Sequence, residues 1–417
     1  MSRPRPSAPA IVRLKMLAAA CTLLLAACSP PPGSDPLVEP ALSWVRQFGG
    51  GSEGVPNGRR VAVDSVGNSF VVGSVLAKFG PDGAQQWLHD LPRFSPGLGV
   101  ASDESGGAYF AGRAGDGSGD SWLEKRDALG NEAWRVTLTN PDNLVIARGV
   151  AVTPTGDVVV AGSWLMGPSQ GENPVAFLAT YGATGVEKSF RLLPFSFDGE
   201  WTNDAWDVVV DALGNVYVAG SAYRRESTDG GALRYAYVAK YGSNGDEVWT
   251  RRFSGVVSSV LAYGVAANAS ADRVCVTGSV RGTLDGEESV GPRDAFVVCY
   301  DTSGTRLWMR QFGTEEEDGG EGIAMDGAGN VFVAGTTEGT FGTSLGGLLG
   351  GGTDAFLARY DRQGVQTHVW EFGTLEADRG YGVAADGAGN VYVTGFTFGS
   401  MWIGPVPGAF LVKLEGF

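Results

Sequence analysis

Gly214-Asn215-Val216-Tyr217-Val218-Ala219-Gly220 returns as Gly329 to Gly335 with Phe332 for the tyrosine, and as Gly389 to Gly395 with Thr394 for the alanine. Looser copies at Gly67 to Gly73, Gly106 to Gly112, Gly156 to Gly162 and Asp272 to Gly278 bring the number to seven, the later ones 57 to 60 residues apart. A fixed internal period of this length marks a repeat architecture. A second unit follows each first one: Val75 to Phe79, Asp120 to Arg126, Val175 to Tyr181, Tyr235 to Tyr241, Asp294 to Tyr300, Asp354 to Tyr360 and Gly408 to Leu414. Most of these run into an Asp- or Gly-led turn, with a tryptophan four residues past the turn glycine, as in Gly304 and Trp308.

Each repeat therefore holds four short apolar runs. In the sixth they are Gly322 to Asp326, Val331 to Ala334, Ala355 to Tyr360 and Val369 to Phe372. Runs this short, rich in Val, Tyr and Phe and bounded by glycine, predict strands rather than helices. The turns Asp326-Gly327-Ala328-Gly329-Asn330 and Asp361-Arg362-Gln363-Gly364 supply an Asp to accept local amides and Gly or Asn for positive φ. Runs such as Val216 to Val218 are apolar on both faces, as a sheet covered on both sides requires. The fold class predicted is all-β: a seven-bladed β-propeller of four-stranded antiparallel blades over residues 41–417. The chain opens with a lone strand of the fourth type, Ser43 to Phe48, and ends on one of the third type, Ala409 to Leu414. Closure is thus predicted by pairing the N-terminal strand with the last blade, which also hides the terminal edges.

These phrases resemble the bacterial SBBP family of seven-bladed propellers, notably Trp308 to Gly313, Asp326 to Gly335 and Asp354 to Tyr360. The resemblance implies the fold and no catalytic residues. Blade one departs by losing nearly all of the link between strands two and three, and Ser189 and His368 replace the tryptophan after two turns. A looser likeness to quinoprotein-type propellers rests on the Gly-to-Trp spacing. Without a cofactor-gripping set, the tryptophans are expected to lock blades together.

Residues 1–28 have a basic start (Arg3, Arg5, Arg13, Lys15) and an apolar stretch from Met16 to Ala27. This pattern predicts a secretory signal. Leu25-Ala26-Ala27-Cys28 resembles the lipobox of bacterial lipoproteins. The resemblance implies lipidation at Cys28 and, with Ser29 following, an outer-membrane, lipid-anchored protein, periplasmic or surface-exposed; an ordinary cleaved signal is the alternative. Residues 29–40, with Pro30, Pro31, Pro32, Pro36 and Pro40, predict an extended tether. The full chain carries a net charge of −15. Four of its 31 basic residues and none of its 46 acidic ones lie in residues 1–28, so the remainder carries −19. Nucleic acid is excluded as a partner, and the membrane is reached only through the anchor.

Cys275 stands at the aromatic site filled by Phe70, Tyr109, Tyr217, Phe332 and Tyr392, and Cys299 at the site filled by Lys78, Lys125, Lys240, Arg359 and Lys413. The short hairpin of blade one sets Phe70 nearly opposite Lys78. The same register sets Cys275 against Cys299 and predicts a disulfide outside the cytosol, with two buried thiols as the alternative.

Chemistry has few candidates. His89 and His368 are the two histidines, both on predicted outer strands, which argues against His-ligated metals and Ser-His or Cys-His catalysis. Asp116, Ser118 and Asp120 have the oxygen spacing of a Ca²⁺ loop, but Ser121 stands where the turn needs glycine. No cofactor is expected beyond that weak Ca²⁺ signal. Gly346 to Gly352 has no helix to follow it and is expected to be a flexible loop. Glu315, Glu316, Glu317, Asp318 and Glu321 form a charge run expected to be solvated surface. The long links Ala222 to Ala232, Arg281 to Pro292 and Thr336 to Thr353 emerge on one face. There the residues just before each inner strand, Arg59, Arg148, Trp206, Tyr263, Glu321 and Tyr381, are expected to ring a channel mouth that binds protein or glycan. The expected function is thus a non-catalytic binding module or scaffold of the cell envelope. Its rival is a carboxylate-based hydrolase or lyase of an extracytoplasmic polysaccharide, using Glu321, Glu317 or Asp318. A structural stalk or adhesin without a pocket is a third reading. A raised Glu321 pKa beside an arginine-lined cleft points to catalysis, and a shallow aromatic rim to binding.

Overall fold

The seam strand β1 (Ala41–Phe48) pairs antiparallel with the last strand of the chain, β29 (Gly408–Glu415), joining Val45 to Val412 and Phe48 to Ala409. This is the closure expected from the phase of the repeat. The structure is a computed structural model; it describes residues 40–49, 57–92, 94–103, 105–139, 144–165, 174–193, 202–225, 232–253, 255–347, 349–350, 352–401 and 407–417. Cys28, the signal 1–28 and all of the tether 29–40 but its last residue lie outside the described residues.

Blade one is β2 (Gly58–Val63), β3 (Ser69–Gly73), β4 (Val75–Phe79) and β5 (Gln85–Asp90). Blade two is β6 (Gly97–Ser102), β7 (Ala108–Arg113), β8 (Ser121–Arg126) and β9 (Glu132–Leu138). Blade three is β10 (Leu144–Val152), β11 (Val158–Leu165), β12 (Pro174–Tyr181) and β13 (Glu187–Leu193). Blade four is β14 (Thr202–Val210), β15 (Val216–Arg225), β16 (Ala232–Tyr241) and β17 (Glu247–Phe253). Blade five is β18 (Gly255–Ala267), β19 (Arg273–Leu284), β20 (Asp294–Asp301) and β21 (Arg306–Phe312). Blade six is β22 (Asp318–Met325), β23 (Val331–Thr337), β25 (Asp354–Tyr360) and β26 (Gln366–Gly373), with a short fifth strand, β24 (Ser344–Gly347), parallel to β26 at its outer edge. Blade seven is β27 (Asp378–Ala385), β28 (Val391–Thr397), β29 and β1. The first strands contact one another in turn and β27 contacts β2, so the ring is closed.

Two expectations need correction. Residues 346 and 347 of the glycine-rich segment belong to β24 rather than to a loop, because the backbone finds an open edge on β26. The inner strands also begin earlier than the apolar pattern suggests: β22 starts at Asp318, not Gly322. A β-bulge lets the ladder continue across a residue whose side chain breaks the alternation. The hairpin links are correspondingly shorter, since β15 runs to Arg225 and β19 to Leu284.

The repeated residues explain the packing. Every copy of the first unit ends in a glycine that faces the first strand of its own blade, as Gly162 faces Ala147 and Gly335 faces Gly320. A Cβ on Gly335 would overlap the carbonyl oxygen of Gly319, and one on Gly162 that of Ile146. Only glycine permits that approach. At the opposite end, Asp326 accepts the Asn330 backbone amide (2.8 Å) and side-chain amide (2.7 Å), while Gly329 takes φ +85°. The asparagine serves as a donor to the aspartate and does not itself adopt positive φ.

Where present at this position, tryptophan stitches its blade to the next. Trp44, Trp249 and Trp308 donate Nε1–H to the turn carbonyls of Pro81 (3.0 Å), Thr302 (3.0 Å) and Arg362 (3.2 Å) in the following blade. Their rings lie over that blade's turn glycine, Gly83, Gly304 or Gly364. Lysine on the third strand reaches the same carbonyl, as Lys240 does at Thr302 (3.1 Å). Blade five has Cys275 directly opposite Cys299 and joined to it by a disulfide, with a Cα separation of 4.1 Å. The cation lost at Cys299 is supplied by Arg273, which donates to Arg362 O (2.6 Å). An arginine two residues further on reaches the turn glycine's carbonyl, Arg46 at Gly83 and Arg251 at Gly304, and Arg191 keeps that contact at Gly245 where Ser189 replaces the tryptophan.

Candidate functional site: the loop-face mouth

All seven inner strands carry a bulge at the same level, between Gly58 and Arg60, Gly97 and Gly99, Ala147 and Gly149, Ala205 and Asp207, Ala262 and Gly264, Gly320 and Gly322, and Gly380 and Gly382. The skipped residue is Arg59, Leu98, Arg148, Trp206, Tyr263, Glu321 or Tyr381. The six residues expected to precede the inner strands are therefore inside them, each the extra residue of a bulge, with Leu98 as the seventh. A bulge re-aims one side chain without ending the strand, which suits a rim built on a rigid ladder.

Three of the six are in contact. The Arg148 guanidinium lies 4.4 Å from the Trp206 ring centroid, and Trp206 meets Tyr263 edge-on at 5.3 Å. Arg148 also bonds Ser163 and pairs with Asp204 at 3.6 Å. The indole Nε1 of Trp206 is buried with no hydrogen-bond partner among the described residues. On the other side, burial lifts the Glu321 carboxyl above its usual pKa, against the opposing pull of Arg60, Arg293, Arg379 and Arg59. Tyr381 stacks on Phe396 at 6.4 Å, and Phe396 abuts the exposed Phe398 at 4.8 Å.

The residue after each bulge forms a collar that the sequence reading missed. It is glycine in five blades, Gly99, Gly149, Gly264, Gly322 and Gly382, whose Cα faces the neighbouring inner strand; a Cβ on Gly149 would meet Val208 N at 2.7 Å. The two exceptions are Arg60 and Asp207. Arg60 donates to the carbonyls of Tyr263 (2.9 Å) and Tyr381 (3.1 Å), and Asp207 accepts from Val208 N (2.9 Å) and Val265 N (3.1 Å). Burial raises the Asp207 pKa and Arg60 opposes the shift. A signal existed: Arg60 and Asp207 interrupt the phrase x-Gly-Val that reads Arg148-Gly149-Val150 and Tyr263-Gly264-Val265 elsewhere. A cavity of about 360 Å³ begins at this collar and runs along Val63, Val152, Val210 and Met325, with no bulge residue in its wall. The bulge residues thus stand apart from that channel, with Arg60 and Asp207 at its end.

The acidic run divides. Glu315 and Glu316 are exposed, as expected. Glu317 sits between Arg281 (2.6 Å) and Arg293 (3.1 Å), and the Arg281 bond first, then both positive charges, hold its pKa down. Asp318 is fully buried and accepts Thr314 N at 2.6 Å, a structural role rather than a solvated one. His89 and His368 lie on outer strands, beside Trp87 and stacked on Trp370. At the calcium-like spacing, Asp116 accepts the Ser118 amide (2.9 Å) in a local turn. Among the described residues, no group of three His, Cys, Asp or Glu is arranged to hold a metal ion.

Three stretches, residues 43–74, 307–342 and 369–399, match the SBBP family, described as a beta-propeller repeat. The chain is a seven-bladed propeller with SBBP repeats at three places. Over 162 residues the chain is 28% identical to Regulatory protein FlaEY of Caulobacter vibrioides (strain ATCC 19089 / CIP 103742 / CB 15), a match covering 37% of this chain and 17% of that protein. The chain thus spans about a sixth of the length of this curated relative. Among solved structures it is similar to streptogramin B lyase (TM-score 0.52, 8% identity, covering 89% of this chain and 97% of that one). It is also similar to the RRP9 WD40 repeats (TM-score 0.52, 9% identity, 90% and 100% covered). At such identities both likenesses concern the fold alone.

Proposed function

We propose that this chain is a non-catalytic binding module of the cell envelope that receives glycan or protein at its loop-face mouth. The observation that carries this reading is the buried, unpartnered Nε1–H of Trp206, held between Arg148 and Tyr263. A buried donor without an acceptor costs about 1–3 kcal/mol, and a ligand oxygen would offset that cost. The similarity to a protein described as regulatory accords with binding rather than turnover. Trp206→Phe keeps the ring and removes the donor. In titrations of the full chain against glycan and peptide libraries it is expected to weaken the best ligand about 5- to 10-fold while leaving the melting temperature unchanged. An unaltered affinity sinks the assignment of the mouth. The anchor belongs to the same proposal: lipidation of Cys28 at the outer membrane is tested by fatty-acid labelling and fractionation of the chain and of Cys28→Ser.

Glu321 favours a second reading. Its raised pKa beside arginines suits a general acid for hydrolysis or β-elimination of a polysaccharide. Against this, Asp207 is displaced in the same direction and spends both oxygens on backbone amides, so the two carboxyls are not driven into opposite acid and base roles. Product release from acidic polysaccharides that disappears in Glu321→Gln would establish the catalytic reading.

A further inference from the structure

We infer that the ligand of the mouth is an acidic glycan, engaged end-on through a uronate carboxylate at Arg59 and Arg379. The inference rests on the binding reading above and supplies the chemistry of its ligand. Several arginines elsewhere in the ring serve as internal fasteners. Arg46 and Arg251 hold the turn carbonyls of Gly83 and Gly304, Arg362 pairs with Asp272, and Arg126 and Arg135 pair with the buried Glu124. Arg59 and Arg379 do none of this. Both are exposed, and neither side chain has a hydrogen bond or ion pair among the described residues. They come from adjacent inner strands, β2 and β27, which approach closely enough that a Cβ on Gly382 would lie 2.9 Å from the Arg60 Cα and 3.1 Å from the Arg59 carbonyl. Both act on the same carboxyl, Glu321, whose own burial favours its neutral form. A third guanidinium, Arg293, keeps a buried Nε without a partner although it pairs with Glu317.

Two free guanidinium forks at the end of a short arc match a carboxylate. Aromatic rings complete the site. Trp206 and Tyr263 across the mouth, and Tyr381 beside Arg379, offer rings for the apolar face of a pyranose, and Trp206 offers its unpartnered N–H to a hydroxyl. The body limits how such a ligand enters. With −19 outside residues 1–28, a long polyanion lying across the surface would be repelled, whereas a chain end feels mainly charges within a screening length of about 8 Å. An extended acidic peptide fits less well. Its side chains lack the flat apolar face that a pyranose presents to an aromatic ring.

The test titrates the full chain with trigalacturonate, a neutral trisaccharide of equal size and a tri-glutamate peptide, read by calorimetry and by tryptophan fluorescence. Trigalacturonate is expected to bind at least about 10-fold more tightly than the neutral sugar, with an affinity that falls as salt rises. Arg59→Gln and Arg379→Gln should each lose about 10-fold with the melting temperature unchanged. Absence of trigalacturonate binding, equal affinity for the neutral sugar, or tighter binding of the peptide overturns the inference. A neutral sugar whose binding depends on Trp206 but not on the two arginines would leave the mouth standing and remove only the carboxylate.

Discussion

The turn face and the loop face of the ring are built from the same seven repeats and use them in opposite ways. On the turn face one contact recurs, tryptophan from one blade over the turn glycine of the next, beside an arginine on that turn's carbonyl that stays where Ser189 removes the ring, and Arg273 supplies the cation where Cys299 removes the lysine. On the loop face the backbone recurs, with one bulge per inner strand, but the bulged side chain differs from blade to blade and several polar atoms there lack partners. Uniform residues in uniform geometry mark cohesion. Varied residues held by uniform geometry are what the proposed binding mouth calls for.

The comparison breaks first if the bulge tolerates a side chain. Gly335→Val would drive Cβ into the Gly319 carbonyl, and blade six should lose more than about 4 kcal/mol or fail to fold, as measured by denaturant unfolding and soluble yield. The turn-face stitch comes next. Trp249→Ala removes a buried indole, its bond to Thr302 and its cover over Gly304, at an expected cost of about 3–5 kcal/mol in urea unfolding.

A smaller effect separates two neighbouring blades on the loop face. In blade five, Gln311 donates to Asp294 (2.6 Å) and to Gly282 O (2.8 Å) and accepts from Leu284 N (2.9 Å). The matching residue of blade six is Glu371, which accepts from Phe341 N (3.0 Å) but cannot donate when ionised. Its Oε2 and Asp354 Oδ1 are buried without partners among the described residues, and burial first, then Asp378 and Glu371, push the Asp354 pKa up to about 6. A carboxyl raised in the fold binds its proton more readily than in the unfolded chain. Asp354 therefore supports the fold best at acid pH; that support fades as pH rises from about 4 to about 6 and stays absent above. Glu371→Gln restores the donor, so the variant should gain on the order of 1–3 kcal/mol over the parent at pH 7 and little at pH 4, in paired thermal melts. The smallest effect is at the turn of blade five, where Ala271 occupies the left-handed position (φ +52°) that glycine fills in the other repeats. Ala271→Gly should stabilise by about 1 kcal/mol, and a loss instead would mean that the turn does not carry this strain.

Most of the ring was legible along the chain. The seven copies of the glycine-bounded phrase, the lone strand at Ser43 and the Cys275 and Cys299 substitutions reported blade number, closure and the pairing of two cysteines, because each depends on period-two strands and on turns whose residues are neighbours in sequence. The mouth was legible only in outline. Its six residues were placed at the right level but outside the strands, since an apolar pattern breaks at a bulge just as it does at a strand end. Asp318 was taken for solvent-facing because four other acids surround it in the chain, while its burial comes from Thr314 and the adjoining blade.

By itself the sequence determined the architecture: seven four-stranded sheets, their turns and the strand that closes them follow from local periodicity and from glycines that no other residue can replace. Only the tertiary structure decided that the tryptophan of one blade lies on the next blade's turn, that Arg60 and Asp207 interrupt a glycine collar, and that Arg59 and Arg379 come from neighbouring inner strands. Those groups are separated by tens to hundreds of residues, and they meet because a closed ring brings seven distant strands to a common axis.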